Sequence, residues 1–393
     1  MTRSIWLVRL VGPMLIAGCG GDMAQGGGGG PPPPCMVDTD CAATAGMPQC
    51  NVATGACRPR AYPLGTGDGS AASVTLTLIL DEMSTTRQPT DLAFNPLRPS
   101  ELWVVDHGDD TVYVVSDTGG TNQAAKRLHD PDANHFMHRP PSIAFGDKGL
   151  FATCGENDNS QNDLKAKGFM GPALFDTDPS IFAKSTAGGL GSHIDMLHDS
   201  PFCMGIAHEA ANAYWVFDGA HGSIARYDFH DPHEPGGDDH SDGEIAQYLM
   251  GQVKRVPNVP SELAYNTADK NVYVADTGHR RLLKFDPATA SDAGSLPTDE
   301  PVTPVQMDGA TVTELVPAGT LDAPSGLILD DGVLYVTDHQ QSRIYAFALD
   351  GTKIRSLDTG LAAGSLAGLT MGPDGKIYFV DMLGGRVYRI DLK

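Results

Sequence analysis

The chain has 393 residues, with 27 Lys and Arg against 49 Asp and Glu, a formal charge of −22 at pH 7. So large a surplus of carboxylates repels phosphate backbones, which excludes nucleic acid as a partner and fits either bound cations or plain solubility. The length suits one large domain with a short appendage.

Residues 1–18 open on a basic start and continue as a short apolar run, the shape of a secretory signal and too short to span a bilayer. The run ends in Leu15, Ile16, Ala17, Gly18 and Cys19, which resembles the bacterial lipobox. That resemblance implies an exported chain whose Cys19 is acylated, becomes the mature N-terminus and anchors it to a membrane. Gly20, where an aspartate would signal retention, implies the outer membrane or cell surface of a Gram-negative bacterium. An ordinary signal peptide with an incidental cysteine is the alternative. Residues 19–34 add a Gly-rich stretch (Gly26 to Gly30) and a Pro-rich one (Pro31 to Pro34), a spacer that can bury no core.

Residues 35–60 hold Cys35, Cys41, Cys50 and Cys57 among Pro, Gly and Asp. The segment resembles the small Cys-rich segments of myxobacterial surface proteins. In an exported chain these cysteines are expected to form two disulfides, with three connectivities open, because so short a stretch has no adequate core. A zinc site is the alternative, although the paired spacing of zinc knuckles is missing.

From residue 61 to 393 the chain repeats. Runs such as PTDLAF (89–94), SELAY (261–265), PSGLIL (324–329) and SLAGLTM (365–371) each precede a second run: LWVVD (102–106), VYVAD (272–276), LYVTD (334–338) and IYFVD (377–381). A third run follows each, as in RLLKF (281–285). Two divergent copies start at Pro141 and Cys203. Short β-branched and aromatic runs between turn residues read as strands. Three strands and a weaker fourth per unit make a blade, and six blades predict an all-β, six-bladed β-propeller. The stretch from Val272 to Leu282 resembles the core of the NHL repeat, with His279 where that family usually has Asn.

The last unit supplies three strands, whereas an orphan strand, residues 74–80, precedes the first. That strand is expected to complete the last blade and close the ring. In the repeat register Cys154 ends the second strand of one blade and Cys203 starts the innermost strand of the next, on the same face, so a Cys154–Cys203 disulfide is predicted.

The register also sorts the histidines. His107, His135, His138, His193, His198, His221, His279 and His339 fall in loops assigned to one face, eight of the thirteen in the chain. Asp218, Asp276, Asp338 and Asp381 end second strands on the same rim. This is the expected working face. His138, His193, His198 and His221 are the candidate metal ligands, and zinc or calcium is the divalent cofactor such a site could hold. Recurrence of the strand-end Asp also fits a structural role in the following turn. His208, on an inner strand, is expected to be buried. The loop 231–244, rich in Asp, His and Gly, has the make-up of a cation site but lacks EF-hand spacing, which favours a hydrated acidic loop, and it is assigned to the opposite face.

No nucleophile elbow, P-loop or dinucleotide fingerprint is present. Two functions compete. The first is a monomeric, membrane-anchored binding or scaffold module taking a glycan, peptide or protein through its His-rich face. The second is a metal-dependent lyase or hydrolase with a histidine-ligated metal at the channel mouth. Six-bladed relatives of the second kind include peptidyl-hydroxyglycine amidating lyases and SMP-30-like lactonases, whose motifs do not match here residue by residue.

Overall fold

The computed structural model describes residues 49–51, 56–58, 63–65, 67–81, 87–158, 170–298 and 301–393. The readings on Cys19, Cys35 and Cys41 lie outside them. For Cys50 and Cys57 the backbone alone is described: they stand opposite each other in a hairpin of Gln49–Asn51 and Ala56–Arg58. That hairpin belongs to one compact unit, and Tyr62–Lys393 form another.

The second unit is a six-bladed propeller, each blade an antiparallel sheet numbered from the channel outward. Blade 1 is Pro89–Phe94, Leu102–Asp106, Thr111–Ser116 and Ala124–Leu128. Blade 2 is Ile143–Phe145, Leu150–Thr153, Ala173–Asp176 and His193–Met196. Blade 3 begins Cys203–Ala210, Ala213–Asp218, Ser223–Asp228 and Glu244–Tyr248. Blade 4 is Leu263–Tyr265, Val272–Asp276, Arg281–Asp286 and Thr311–Val316, and blade 5 runs from Pro324–Asp330 to Lys353–Asp358. Blade 6 is Leu366–Met371, Ile377–Asp381, Arg386–Leu392 and, as its outer strand, Val74–Asp81. The orphan strand therefore closes the ring as expected, pairing antiparallel with Arg386–Leu392.

Second strands are buried along all or nearly all of their length because neighbouring blades cover both faces, which is why they read as unbroken apolar runs. Between blades 1 and 2, Trp103 meets Phe151 and Phe145 edge-on at 5.1 and 5.5 Å. Between blades 3 and 4, Trp215 meets Phe285 edge-on at 5.7 Å. Such pairs add about 0.5–1.5 kcal/mol each beyond the area they bury. Inner strands crowd the axis so closely that glycine is required at one point: a Cβ on Gly368 would collide with the Asp91 carboxylate.

Two departures from the repeat matter. Blade 3 has six strands rather than four, because the connection within blade 4 sends out a hairpin, Ser291–Ser295 with Val305–Asp308, whose second strand pairs parallel to Glu244–Tyr248. In blade 2, His193–Met196 is the outermost strand, whereas the sequence register places His193 in a loop of the working face. His208, expected to be buried, is half-buried, since its strand runs past the packed layer.

Candidate functional site

The strand-end carboxylates organise turns. Asp218 is fully buried and accepts from the N–H groups of Ala220 and His221, both at 3.0 Å. Asp276 accepts from Lys254 N–H at 2.9 Å and binds Arg281 Nε at 2.8 Å. Asp338 accepts from Asp322, Ala323 and Gln341, and Asp381 from Gly384. Buried acceptors saturated by local donors are what a tight turn needs.

Several histidines of this face are tied to the same scaffold. His221 Nδ1 lies 2.7 Å from Asp218, a bond that raises the imidazole pKa, and His279 Nδ1 lies 2.9 Å from Asp276. His138 pairs with Asp110 at 3.1 Å. His339 bonds the Leu366 carbonyl at 2.7 Å, and burial holds its pKa below the ordinary value. Each points to its own partner rather than to a shared centre.

One network does span blades. Glu156, 3% exposed, receives His107 Nε2 at 2.9 Å from blade 1 and Arg255 at 2.9 Å from the loop after blade 3. It also accepts the Asn258 N–H at 2.9 Å, and Arg139 reaches the Asn258 side chain at 2.5 Å. Arg255 lies over the Phe202 ring at 4.1 Å, a cation–π contact that orients the guanidinium. Sequence reasoning named His107 and missed its partners. The available signal was an acid two residues past Cys154, where other units carry turn residues.

Deeper in the channel, Asp91, Ser142 and Glu262 occupy equivalent inner-strand positions of blades 1, 2 and 4. Ser142 Oγ is 3.2 Å from Asp91 and 2.7 Å from Glu262, and it accepts from Ile206 N–H at 3.2 Å. A hydroxyl has one proton, so one of the two carboxyls must be the acid that donates to it. Burial, reinforced by the charge of Asp91, raises the Glu262 pKa far above the carboxylate range, which favours its protonated form. Burial also raises Asp91 to about 7. The signal for this trio was a polar residue where blades 3, 5 and 6 have glycine.

The remaining histidines gather elsewhere. His193 begins the outer strand of blade 2, and outer strands sit at the circumference, so it cannot join a cluster at the channel mouth. The loop 231–244, assigned from sequence to the opposite face, docks on that strand's edge: His233 N–H donates to Ile194 O at 2.9 Å and Gly236 N–H to His193 O at 2.8 Å. This covers an otherwise open edge. It also brings His233 and His240 to His193, with ring centroids 5.0 and 5.7 Å away. His198 is 6.5 Å from His240, and His135 is 5.8 Å from His198. Of the four candidate metal ligands, the structure thus brings His193 and His198 each toward His240 and pairs His138 and His221 with carboxylates of their own. Among the described residues, the one group with ligand atoms poised for a metal is His193, His233 and His240.

No family model matches the chain, and no curated protein sequence is similar to it. Its fold is shared with solved structures. An auxiliary nutrient binding protein from Bacteroides thetaiotaomicron VPI-5482 aligns with a TM-score of 0.51 at 11% identity, over 80% of this chain and 75% of that one. Another, from Bacteroides ovatus ATCC 8483, gives 0.50 at 13%, over 82% and 77%. A structural genomics protein of unknown function from Bacteroides thetaiotaomicron VPI-5482 gives 0.50 at 13%, over 84% and 75%. At such identities the likeness is one of fold.

Proposed function

We propose that this chain is an exported, lipid-anchored binding module that takes a carboxylate-bearing glycan or peptide at the mouth of its propeller. The observation that carries the reading is the network around Glu156, which fixes Arg139 and Arg255 beside the channel on an otherwise acidic molecule. A guanidinium has five donors in a planar fork suited to carboxylates, more than these internal bonds use. A site preorganised in this way loses little entropy on binding. The lipobox-like sequence ending in Cys19 supports export, and so does the disulfide between Cys154 and Cys203, a bond that persists in oxidising compartments. The nutrient-binding neighbours agree with a binding role, in fold alone.

The reading is favoured over a metal-dependent lyase or hydrolase because, among the described residues, the one group of histidines with ligand atoms close enough for a metal, His193, His233 and His240, lies away from the mouth. Glycan and peptide arrays probed with the soluble mature protein test it. Binding of acidic ligands that falls at least about tenfold in Arg139→Ala, at unchanged melting temperature, and likewise in Arg255→Ala measured well below its own melting temperature, is the expected result. Binding indifferent to both substitutions would overturn it.

A further inference from the structure

The geometry points to a zinc-binding site at the propeller's circumference, formed by the Nε2 atoms of His193, His233 and His240, with the fourth position open to water or a small anion. It is separate from the mouth and stands or falls independently of the binding role proposed there.

Three observations converge on it. The first is distance. One ligand atom from each histidine lies within 4.8 Å of the other two, and the Nε2 atoms of His233 and His240 are 3.1 Å apart. Nitrogens bound to a tetrahedral zinc at 2.0–2.1 Å lie roughly 3.3 Å from one another, so one pair is already spaced for the ion and the third needs a small side-chain shift.

The second is orientation. His193 Nδ1 donates to the Leu190 carbonyl at 2.7 Å, and His233 Nδ1 donates to the Glu234 carbonyl, also at 2.7 Å. A carbonyl can only accept, so both rings carry the proton on Nδ1 and turn the Nε2 lone pair inward, the outer-shell arrangement typical of histidine ligands. The His193 ring is further fixed by stacking on Phe136 at 3.6 Å.

The third is an unmet need. His193 is fully buried, and its Nε2 has no hydrogen-bond partner among the described residues. A buried acceptor left unsatisfied is destabilising, and a metal bond satisfies it. Three imidazoles and no thiolate favour zinc or a neighbouring divalent transition metal over calcium, which prefers oxygen ligands.

The loop that brings in two of the ligands belongs to blade 3 and the third ligand to blade 2, so a bound ion would join the two blades at the rim. Gly236 serves this docking: it has φ of +75°, and a Cβ on the facing Gly188 would collide with its carbonyl. Close backbone approach here holds the loop against the blade 2 strand.

The test uses full-length, untagged protein stripped with chelator and titrated with zinc by calorimetry. The expected result is one zinc per chain, with His240→Ala and His233→Ala each weakening it by more than the roughly 10–100-fold that loss of an outer-shell partner costs. His221→Ala, at the Asp218 turn, should bind zinc as the wild type does. Since His193 is buried and its replacement could impair folding, the two loop variants decide the matter. A wild-type protein that binds no zinc, or loop variants that bind it undiminished, would overturn the site.

Discussion

Thr77 and Asp391 are hydrogen-bonded partners although 314 residues separate them in sequence. The bond lies in the seam where Val74–Asp81 pairs with Arg386–Leu392, and Val74, Ile79 and Leu80 on the first of these strands are buried. Asp391 is also held by Lys376 and Arg389, and its pKa is lowered to about 2 by these donors together with Thr77, against the cost of burial.

Removing that strand should open the ring. A chain truncated before residue 82 is expected to lose its single cooperative thermal transition, because blade 6 would expose both an unpaired edge and apolar side chains that the strand covers, Val387 and Ile390 among them. Differential scanning calorimetry reads the outcome. An unaltered transition would refute the latch.

The disulfide between Cys154 and Cys203 closes a loop of 49 residues with Cα atoms 5.9 Å apart. A Cys154→Ala, Cys203→Ala double variant should be less stable by about 2–4 kcal/mol, mostly through a freer unfolded chain. Urea unfolding with and without reductant checks this, since reductant should lower the wild type toward the variant and leave the variant where it is.

The two channel carboxyls should contribute a loss of stability as pH rises from about 4 to 7. This is opposite in sign to the contribution of His193 and His240, whose pKa values burial lowers. Asp91 and Glu262 are held above their unfolded values, so the native state binds more protons than the unfolded state across that interval and loses stability as they ionise. Mutual repulsion of the remaining surface carboxylates acts in the same direction, so a substitution is needed to isolate the channel. Glu262→Gln keeps a donor for Ser142 and cannot ionise. Its melting temperature should therefore depend less steeply on pH than that of the wild type, and equal slopes would contradict the shared-proton arrangement.

Glu156→Ala should cost about 3–5 kcal/mol, because it leaves His107 and Arg255 beside a space their partner no longer fills. Combining it with Arg255→Ala should cost less than the two single effects together, the mark of direct coupling. A double-mutant cycle by chemical denaturation measures the difference.

The ring was legible in the sequence because second strands repeat the same chemistry: an aromatic or aliphatic run ended by an aspartate whose carboxylate forms the next turn. Trp103, Tyr273 and Tyr378 mark it in three blades. The candidate site was legible only in part. Ala173–Asp176 and His193–Met196 are four residues each, and a bulge beside Phe175 interrupts their pairing, so neither carries the alternation that identifies a strand. Without them His193 was assigned to the mouth. The contacts of His233 and His240 depend on a loop folding back across a neighbouring blade, and Glu156 meets Arg255 from 99 residues away. Such meetings are set by blade packing, which leaves no local pattern.

The seam between Thr77 and Asp391 has a temporal consequence. A ribosome adding ~5–20 residues per second needs roughly 15–60 s to make the stretch between the two strands. Through that interval Val74–Asp81 waits without its companion, a short apolar segment exposed to any other unpaired edge. Completion of the ring is thus deferred until synthesis is nearly over, and the nascent chain would profit from a holding chaperone for about that long.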